Sequence, residues 1–172
     1  MQPLVVILPV SRPDFNLALK WLQWALALRR HGFRETGEPG YSLIVVCAAS
    51  VELGLVQRLG DVCQQATGWT VHVVAEEYEP KDLGYAAAAN HLFRSSLELA
   101  EKYFPGSPIL WAEADTVPMR PSWVVEIAAE YATCGKAFMG DLHPHGDIPH
   151  MTGNPAYPPD YRVKAPPLAL LP

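Results

Sequence analysis

Residues 108–118 read PILWAEADTVP, a short apolar run that ends in two carboxylates one residue apart and then in a proline. The apolar residues 109–112 predict a buried strand, which Pro118 brings to an end. Because side chains alternate along a strand, we expect Glu113 and Asp115 to share one face. Ligands of open α/β sheets bind at the carboxyl ends of strands, so the pair predicts a site for a hard divalent cation carrying a phosphate. The alternative is a strand that runs out into a polar loop.

Apolar runs and amphipathic segments alternate on both sides of this stretch. Strands are predicted at residues 4–8, 42–47, 70–75, 109–112 and 136–140, and helices at residues 11–32, 51–65, 84–103 and 122–131. This order predicts βαβ units in an α/β fold, a three-layer α/β/α sandwich around a mainly parallel sheet. Periodicity fades after Asp141, where we expect loops. We therefore divide the chain into an α/β core, residues 1–140, and a loop-rich segment, residues 141–172.

The first helix is predicted from its start signal and from an apolar stripe. Ser11 is the expected cap, Pro13 an early helical residue and Asp14 an acid in the first turn, while Gly32 offers a stop. The residues at helical spacing are Leu17, Trp21, Trp24 and Leu28. We expect the two tryptophans to lie in the core.

Composition limits the class of protein. The chain has 172 residues, of which 49% are hydrophobic, so it can form one globular domain with a sizeable core. A net charge of -5 argues against broad nucleic-acid binding. No signal peptide or membrane-spanning segment is recognisable, which predicts a cytoplasmic protein. The cysteines are far apart in apolar settings and are expected to be buried thiols: Cys47, Cys63 and Cys134.

Two polar positions near the strand ends have equally good structural and functional interpretations. The turn after the first strand lacks a glycine fingerprint and a Walker-type lysine, which disfavours a dinucleotide cofactor. Its backbone amides and Arg12 can hold a base or a phosphate, or Ser11 can simply cap a helix beside a solvated arginine.

Asn90 lies among alanines in its helix. It either braces the Glu113–Asp115 loop or packs against a strand.

The late part of the chain carries a histidine-rich loop. Residues 141–150 read DLHPHGDIPH, with imidazoles and carboxylates that can complete a metal shell or act as a general base, although most loop histidines are solvated. Residues 151–158 read MTGNPAYP. Thr152, Asn154 and Tyr157 can contact a hydroxyl-rich substrate, and Gly153 permits a tight backbone. The alternative is a proline-stiffened loop that covers a sheet edge.

Taken in order, these segments resemble the glycosyltransferases of the GT-A fold, and most of all the family-2-like sugar transferases. Glu113-Ala114-Asp115 is similar to the Asp-x-Asp motif of that family, with Glu at the first position. The order of strands and helices matches over nearly the whole chain, whereas specific residues match only in patches. The other patches are Leu8 to Arg12, Gly84 to Asn90, Pro118 to Trp123, Met139-Gly140 and Gly153 to Pro158.

The resemblance implies a nucleoside diphosphate sugar bound across the sheet edge, with its base near residues 9–12. It implies a Mn²⁺ or Mg²⁺ ion held chiefly by Asp115, with Glu113 at the ribose or a metal-bound water and His150 as a further ligand. The implied donor-binding residues are Pro9, Val10, Ser11, Arg12, Asn90, Glu113, Ala114 and Asp115. The implied acceptor-binding residues are Thr152, Gly153, Asn154 and Tyr157.

The chain departs from the family pattern in two places. Many relatives read the base with Asp-Asp-Gly-Ser after the second strand, where this chain has Ala48-Ala49-Ser50. Relatives also continue into a segment that carries the catalytic base, so either the acceptor half is minimal or the chain is a fragment. Besides Asp115, the candidates for a catalytic role are Asp141 and Asp147, and Asp160 is a further candidate base for an inverting reaction.

Three other functions compete with this interpretation. A metal-dependent hydrolase would bind Zn²⁺ through Asp115 and the late histidines His143, His145 and His150. A nucleotidyltransferase would need a glycine-rich basic loop after the first strand, which is absent. A non-catalytic domain would keep the GT-A-like fold for binding only.

Overall fold

The computed structural model describes residues 3–32, 41–65, 68–77, 84–143 and 150–161. Within these ranges strands and helices alternate as far as the fifth strand. The helices are α1 (Phe15–Gly32), α2 (Leu53–Cys63), α3 (Gly84–Tyr103) and α4 (Trp123–Thr133). The strands are β1 (Val5–Val10), β2 (Tyr41–Cys47), β3 (Trp69–Ala75), β4 (Ile109–Trp111), β5 (Met139–His143) and β6 (His150–Tyr157).

The six strands form one sheet in the order β3-β2-β1-β4-β6-β5. β1 pairs in parallel with β2 and β4, and β2 pairs in parallel with β3. β6 pairs in an antiparallel manner with both β4 and β5, so it runs in the opposite direction to the other described strands. The predicted mainly parallel sheet is confirmed. The strand order reverses between β1 and β4, which is the place where open α/β sheets leave a crevice for a ligand.

Both faces of the sheet are covered, because alternate residues of β1 and β2 lie in two separate cores. Val6 and Leu8 belong to the core under α1, α2 and α4, and both are fully buried. Val5 and Ile7 belong to the core under α3. Strands buried on both faces are continuous apolar runs rather than alternating ones. The three-layer α/β/α arrangement predicted from the sequence is therefore confirmed.

The buried face of α1 differs from the predicted one. Trp21 is buried as predicted, but Leu17 and Trp24 are 43% and 47% exposed. The buried stripe consists of Phe15, Ala18, Leu19, Leu22, Ala25 and Leu26. The helix is apolar around most of its circumference, so spacing alone cannot decide which stripe packs. Its start also differs, because Ser11 to Asp14 form a turn and the helix begins only at Phe15.

The end of the sheet contains the largest error of the sequence prediction. Residues 150–157 were expected to be loop, but they form β6 between β4 and β5. Pro155 has no N–H to donate, and it lies where the pairing of β5 with β6 shifts register between Met139 and Asp141. The fifth strand was predicted three residues too early, and the predicted boundary at residue 140 falls inside it.

The cysteine prediction is confirmed for Cys47 and Cys63, which are buried free thiols, whereas Cys134 is partly exposed. Burial raises the pKa of Cys47 to about 12, with the Cys63 thiol contributing, and burial raises the pKa of Cys63 to about 11. Both thiols are protonated at neutral pH, which suits side chains that serve as packing.

No helix within the described ranges has the length and apolar character needed to cross a bilayer.

Candidate active site

The carboxyl ends of β1 and β4 bring two sequence-predicted segments to one edge of the sheet. β1 leads into Ser11 and Arg12, and β4 leads into the acidic pair. The two strands are neighbours, with Val5 opposite Ile109 and Ile7 opposite Trp111. Since the strand order reverses between them, both segments lie where open α/β sheets bind their ligands. The fold thus brings together the two segments that the sequence predicted for donor binding.

The acidic pair lies on a turn rather than on the strand. The ladder continues one residue past β4, where the Ala112 N–H donates to the Ile7 carbonyl (2.8 Å), and the Thr116 N–H then donates to the Glu113 carbonyl (3.1 Å). We call residues 113–116 the acidic turn. The expectation that Glu113 and Asp115 share a face by strand alternation is therefore wrong. They are nevertheless close enough for the charge of Asp115 to act on Glu113.

Glu113 is half-buried and Asp115 is exposed. Burial raises the pKa of Glu113 above its ordinary value of 4.5, and the Asp115 carboxylate raises it further. Two carboxylates that repel each other at the mouth of a crevice favour a cation between them. Carboxylate oxygens are the hard donors that Mg²⁺ prefers, so the pair remains the candidate cation site predicted from the sequence.

A pH-dependent effect on stability follows from the raised pKa of Glu113. Between pH 4.5 and the raised value the folded state binds more protons than the unfolded state, so stability falls as the pH rises through this interval. We expect Glu113→Gln to raise the melting temperature at about pH 7 and to leave it unchanged at about pH 4. Glu130→Gln, at an exposed position of α4, is the control. Thermal melts in which Glu113→Gln is the less stable protein at neutral pH would contradict the assignment.

Asn154 of β6 holds the acidic turn through its side-chain oxygen. Its Oδ1 accepts the Glu113 N–H at 2.9 Å and lies 3.1 Å from the Thr116 hydroxyl. The same hydroxyl lies 2.7 Å from the Glu113 carbonyl oxygen. The resemblance placed Asn154 at the acceptor, and the sequence offered Asn90 as one candidate for bracing this turn, with packing against a strand as the equal alternative. Neither Asn154 in this role nor Thr116 could be found from the sequence, because β6 was not recognised as a strand.

Tyr157 ends β6 among aromatic rings. Its ring centroid lies 5.2 Å from that of Phe93 and 6.1 Å from that of Phe138. Burial raises the pKa of Tyr157 to about 12, and the Glu113 carboxylate adds to the shift. The phenol therefore stays protonated and senses the charge of the acidic turn, although its ring is mainly a packing element.

The loop after the acidic turn is tied to α1. The Trp24 indole N–H donates to the Pro118 carbonyl at 2.7 Å. Val117 and Met119 on either side of this proline are 59% and 78% exposed. The exposure of Trp24 thus has a structural reason, because its indole reaches out to the loop that follows the site.

The residues after β1 are placed at the crevice but have protein partners. Arg12 forms an ion pair with Glu52 at 3.2 Å, with both side chains largely exposed. The Ser11 hydroxyl donates to the Asp14 carboxylate at 2.5 Å. Pro9 is half-buried, and Val10 is fully buried with its carbonyl accepting the Ala48 N–H. An exposed ion pair is weak, so Arg12 remains able to exchange Glu52 for an anionic ligand.

α3 begins at the same edge, beyond β3. His91 Nε2 lies 3.8 Å from a Glu76 carboxylate oxygen, which joins this helix to the residue that follows β3. Asn90 precedes His91 and is exposed. Ala114, in the acidic turn, packs against the core under α1.

The late segment is only partly described. Asp141 is exposed on β5 and lies opposite Thr152, and His143 lies opposite His150, in the backbone register of β5 with β6. Asp147 and His145 lie outside the described residues, and of His143, His150, Thr152 and Gly153 only the backbone is described. The backbones of these four residues belong to β5 and β6, at the edge that carries the acidic turn.

Asp160 lies at the opposite edge of the sheet. It follows the far end of β6. The pKa of Tyr131 is raised by burial, by Cys134 and, as the smallest of the three causes, by the charge of Asp160. A surface cavity of about 870 Å³ lies there, with Tyr131, Lys136 and Asp160 in its lining. This cavity is separate from the acidic turn. Asp160 is therefore not positioned to act as a base beside Asp115.

No group of three metal-ligating side chains comes together within the described part of the chain. The acidic turn supplies two carboxylates. This number is what Mg²⁺-type sites use when substrate phosphates and waters complete the coordination. The donor set therefore fits the predicted cation in kind.

The comparisons with known proteins concern the fold. No protein-family profile and no curated protein matches the sequence. Among solved structures, the S. aureus protein TarS (residues 1–349) matches with a TM-score of 0.51, at 14% identity over 86% of this chain and 38% of that one. The bifunctional glycosyltransferase WbbM, in its apo form, matches with a TM-score of 0.52, at 10% identity over 95% of this chain and 32% of that one.

The WbbM structure is that of a bifunctional glycosyltransferase, and the likeness to both structures shows that this chain has a GT-A-like glycosyltransferase fold. The resemblance predicted from the sequence is confirmed at the level of the fold. The chain spans 38% and 32% of the length of these two structures.

Proposed function

We propose that this chain is the donor-binding part of a metal-assisted glycosyltransferase. The observation that carries the proposal is the position of the acidic turn. Its two carboxylates follow β4 at the reversal of strand order, beside the residues that follow β1. This is where an open α/β sheet binds a nucleotide. Burial, and after it the charge of Asp115, raises the pKa of Glu113, and a bound cation would favour the charged form of this carboxyl group.

In the proposed complex Asp115 and Glu113 hold Mn²⁺ or Mg²⁺, with His150 as a further candidate ligand. When bound, the ion neutralises charge on the leaving diphosphate. Arg12 and the backbone of residues 9–12 bind the nucleoside, with Asn90 and Ala114 at the same edge. An arginine released from an exposed ion pair suits an anionic donor.

The acceptor is proposed to lie along the start of β6, where the backbone register places Thr152 opposite Asp141. Transfer breaks the bond between the sugar and the diphosphate and forms one to an acceptor oxygen, whose proton must pass to a base. Asp141 is the described carboxylate on this strand pair and the candidate base, and Asp147 is a second candidate. A cytoplasmic location stays a prediction from the sequence.

Binding of nucleoside diphosphates is the direct test. We expect UDP or GDP to raise the melting temperature of the protein only when Mn²⁺ is present. A ligand at 100 times its dissociation constant contributes about 2.7 kcal/mol to stability. Calorimetry with nucleotide alone, Mn²⁺ alone and both together separates the contributions. Absence of binding under all three conditions would contradict the proposal.

The competing hydrolase makes a different prediction in the same titration. A histidine-based site would bind Zn²⁺ tightly without nucleotide, and His143→Ala would abolish that binding. The backbone register of His143 opposite His150 is the observation that keeps this second function open to test. Mn²⁺ binding that strengthens with nucleotide and is unaffected by His143→Ala supports the transferase.

A further inference from the structure

We propose that Asn154 is a positioning residue, which fixes the conformation of the acidic turn and thereby the spacing of the two carboxylates that hold the cation. The inference rests on the proposed function for the identity of the site. It goes beyond that function because a residue of β6, which was expected to contact the acceptor, fixes the geometry of the donor site.

Asn154 contacts both ends of the acidic turn. One atom, Oδ1 of Asn154, accepts the Glu113 N–H at 2.9 Å and lies 3.1 Å from the hydroxyl of Thr116. These two residues are the first and the last of the acidic turn, and the Thr116 N–H also closes the turn onto the Glu113 carbonyl at 3.1 Å. A single oxygen that contacts both ends of a four-residue turn restricts the turn as a whole. Asp115, between those ends, makes none of these contacts itself.

Asn154 lies on a strand that is itself held in place. Two residues further along, Ala156 is fully buried and pairs with Leu110 of β4. Tyr157 pairs with Ile109, and its ring packs on Phe93. The side chain of Asn154 is therefore presented from an anchored strand rather than from a free loop.

A side chain, not the backbone of β6, accepts the Glu113 N–H. Beyond the paired residues Leu110 and Ala156, the ladder between β4 and β6 does not continue through Pro155. The Glu113 N–H therefore donates to the side-chain oxygen of Asn154 rather than to a backbone carbonyl. This contact is exposed to solvent, so without the Asn154 oxygen the Glu113 N–H would bond to water, and the acidic turn would lose its direct tie to β6. Partners that orient the ligands of a metal site change metal affinity by about 10- to 100-fold when they are removed.

Two substitutions at Asn154 separate the hydrogen bond from other effects. Asn154→Ala removes the acceptor, whereas Asn154→Asp keeps an oxygen acceptor of nearly the same shape. Gln64→Ala, which removes an exposed amide at the end of α2, is the matched control. Thr116→Val removes the hydroxyl at the other end of the turn and serves as a second test if Asn154→Ala does not fold.

The experiment has two readouts on the full chain. Amide hydrogen exchange measured by NMR should become faster at Glu113 in Asn154→Ala, by up to about tenfold, and stay near the wild-type rate in Asn154→Asp and Gln64→Ala. Mn²⁺ affinity in the presence of UDP or GDP, measured by electron paramagnetic resonance, should fall about 10- to 100-fold in Asn154→Ala and not in Asn154→Asp. Thr116→Val should weaken Mn²⁺ binding in the same direction.

The outcomes distinguish this inference from the proposed function. Wild-type protein that binds Mn²⁺ with nucleotide, together with an Asn154→Ala variant that binds equally well, overturns the inference and leaves the function standing. Equal losses in the alanine and aspartate variants overturn it as well. Wild-type protein that binds no Mn²⁺ overturns the function, and the exchange rate at Glu113 then decides whether Asn154 fixes the turn.

Discussion

Replacing Asp115 by Asn is expected to abolish nucleotide-dependent Mn²⁺ binding while leaving the domain folded. The substitution removes one of two carboxylates that supply the charge of the site, and an amide oxygen is a far weaker ligand for a hard cation. We expect the affinity for Mn²⁺ in the presence of UDP or GDP to fall by more than about 100-fold, because even partners of metal ligands change affinity by 10- to 100-fold. Calorimetry and electron paramagnetic resonance both measure this loss.

Stability should hardly change, because Asp115 is exposed and surface substitutions usually fall within about 0.5 kcal/mol. Asp61→Asn is the matched control, since it removes an exposed carboxylate from α2. Both variants are compared by thermal melting. Undiminished Mn²⁺ binding in Asp115→Asn, or a loss of binding that accompanies unfolding, would count against the site.

Trp21→Ala is expected to lower the free energy of unfolding by about 3–5 kcal/mol, the cost of truncating a buried aromatic side chain. Trp21 is 4% exposed and meets the ring of Trp123 edge to face, with 5.9 Å between ring centroids. This contact joins α1 to α4 over the sheet. Removing the indole leaves a cavity between α1 and α4, which the surrounding side chains can fill only in part. Chemical denaturation measures the change.

The neighbouring tryptophan provides the control. Trp24 is 47% exposed and makes one hydrogen bond, to the Pro118 carbonyl, so Trp24→Ala should cost about 1 kcal/mol. Trp21→Phe is a second control, because it keeps most of the buried ring and removes an indole N–H that has no hydrogen-bond partner within the described residues. Equal destabilisation by Trp21→Ala and Trp24→Ala would show that burial of Trp21 is not the cause.

Much of the fold could be predicted from the sequence because its buried strands are continuous apolar runs. The runs that became β1 to β4 were recognised with their bounds within two residues, and the helices between them followed from spacing and from stops such as Gly32. The predicted meeting of the β1 and β4 ends needed only the rule for parallel sheets. The stripe on α1 failed for a physical reason, since Leu17 and Trp24 are as apolar as the residues that pack.

β6 could not be predicted because its sequence contradicts its conformation. Gly153, Asn154 and Pro155 follow one another in the middle of the strand, and each is typical of turns. The strand forms because β4 and β5 each offer an edge to it, which is a property of the folded sheet and not of the local sequence. The role of Asn154 depends on that pairing, so the site could be predicted as a pair of carboxylates but not with the residue that orients them.

The threading of β6 between β4 and β5 also has a consequence for how the protein is made. A ribosome releases β1 to β4 before residues 150–157, so β4 stays bonded to β1 on one side while its other side remains bare. Until then β4 is an unpaired edge strand, which can pair with other nascent chains. This edge includes Ile109 and Leu110, which are buried in the complete fold. The late arrival of one short segment makes this half of the sheet the part most exposed to aggregation during synthesis.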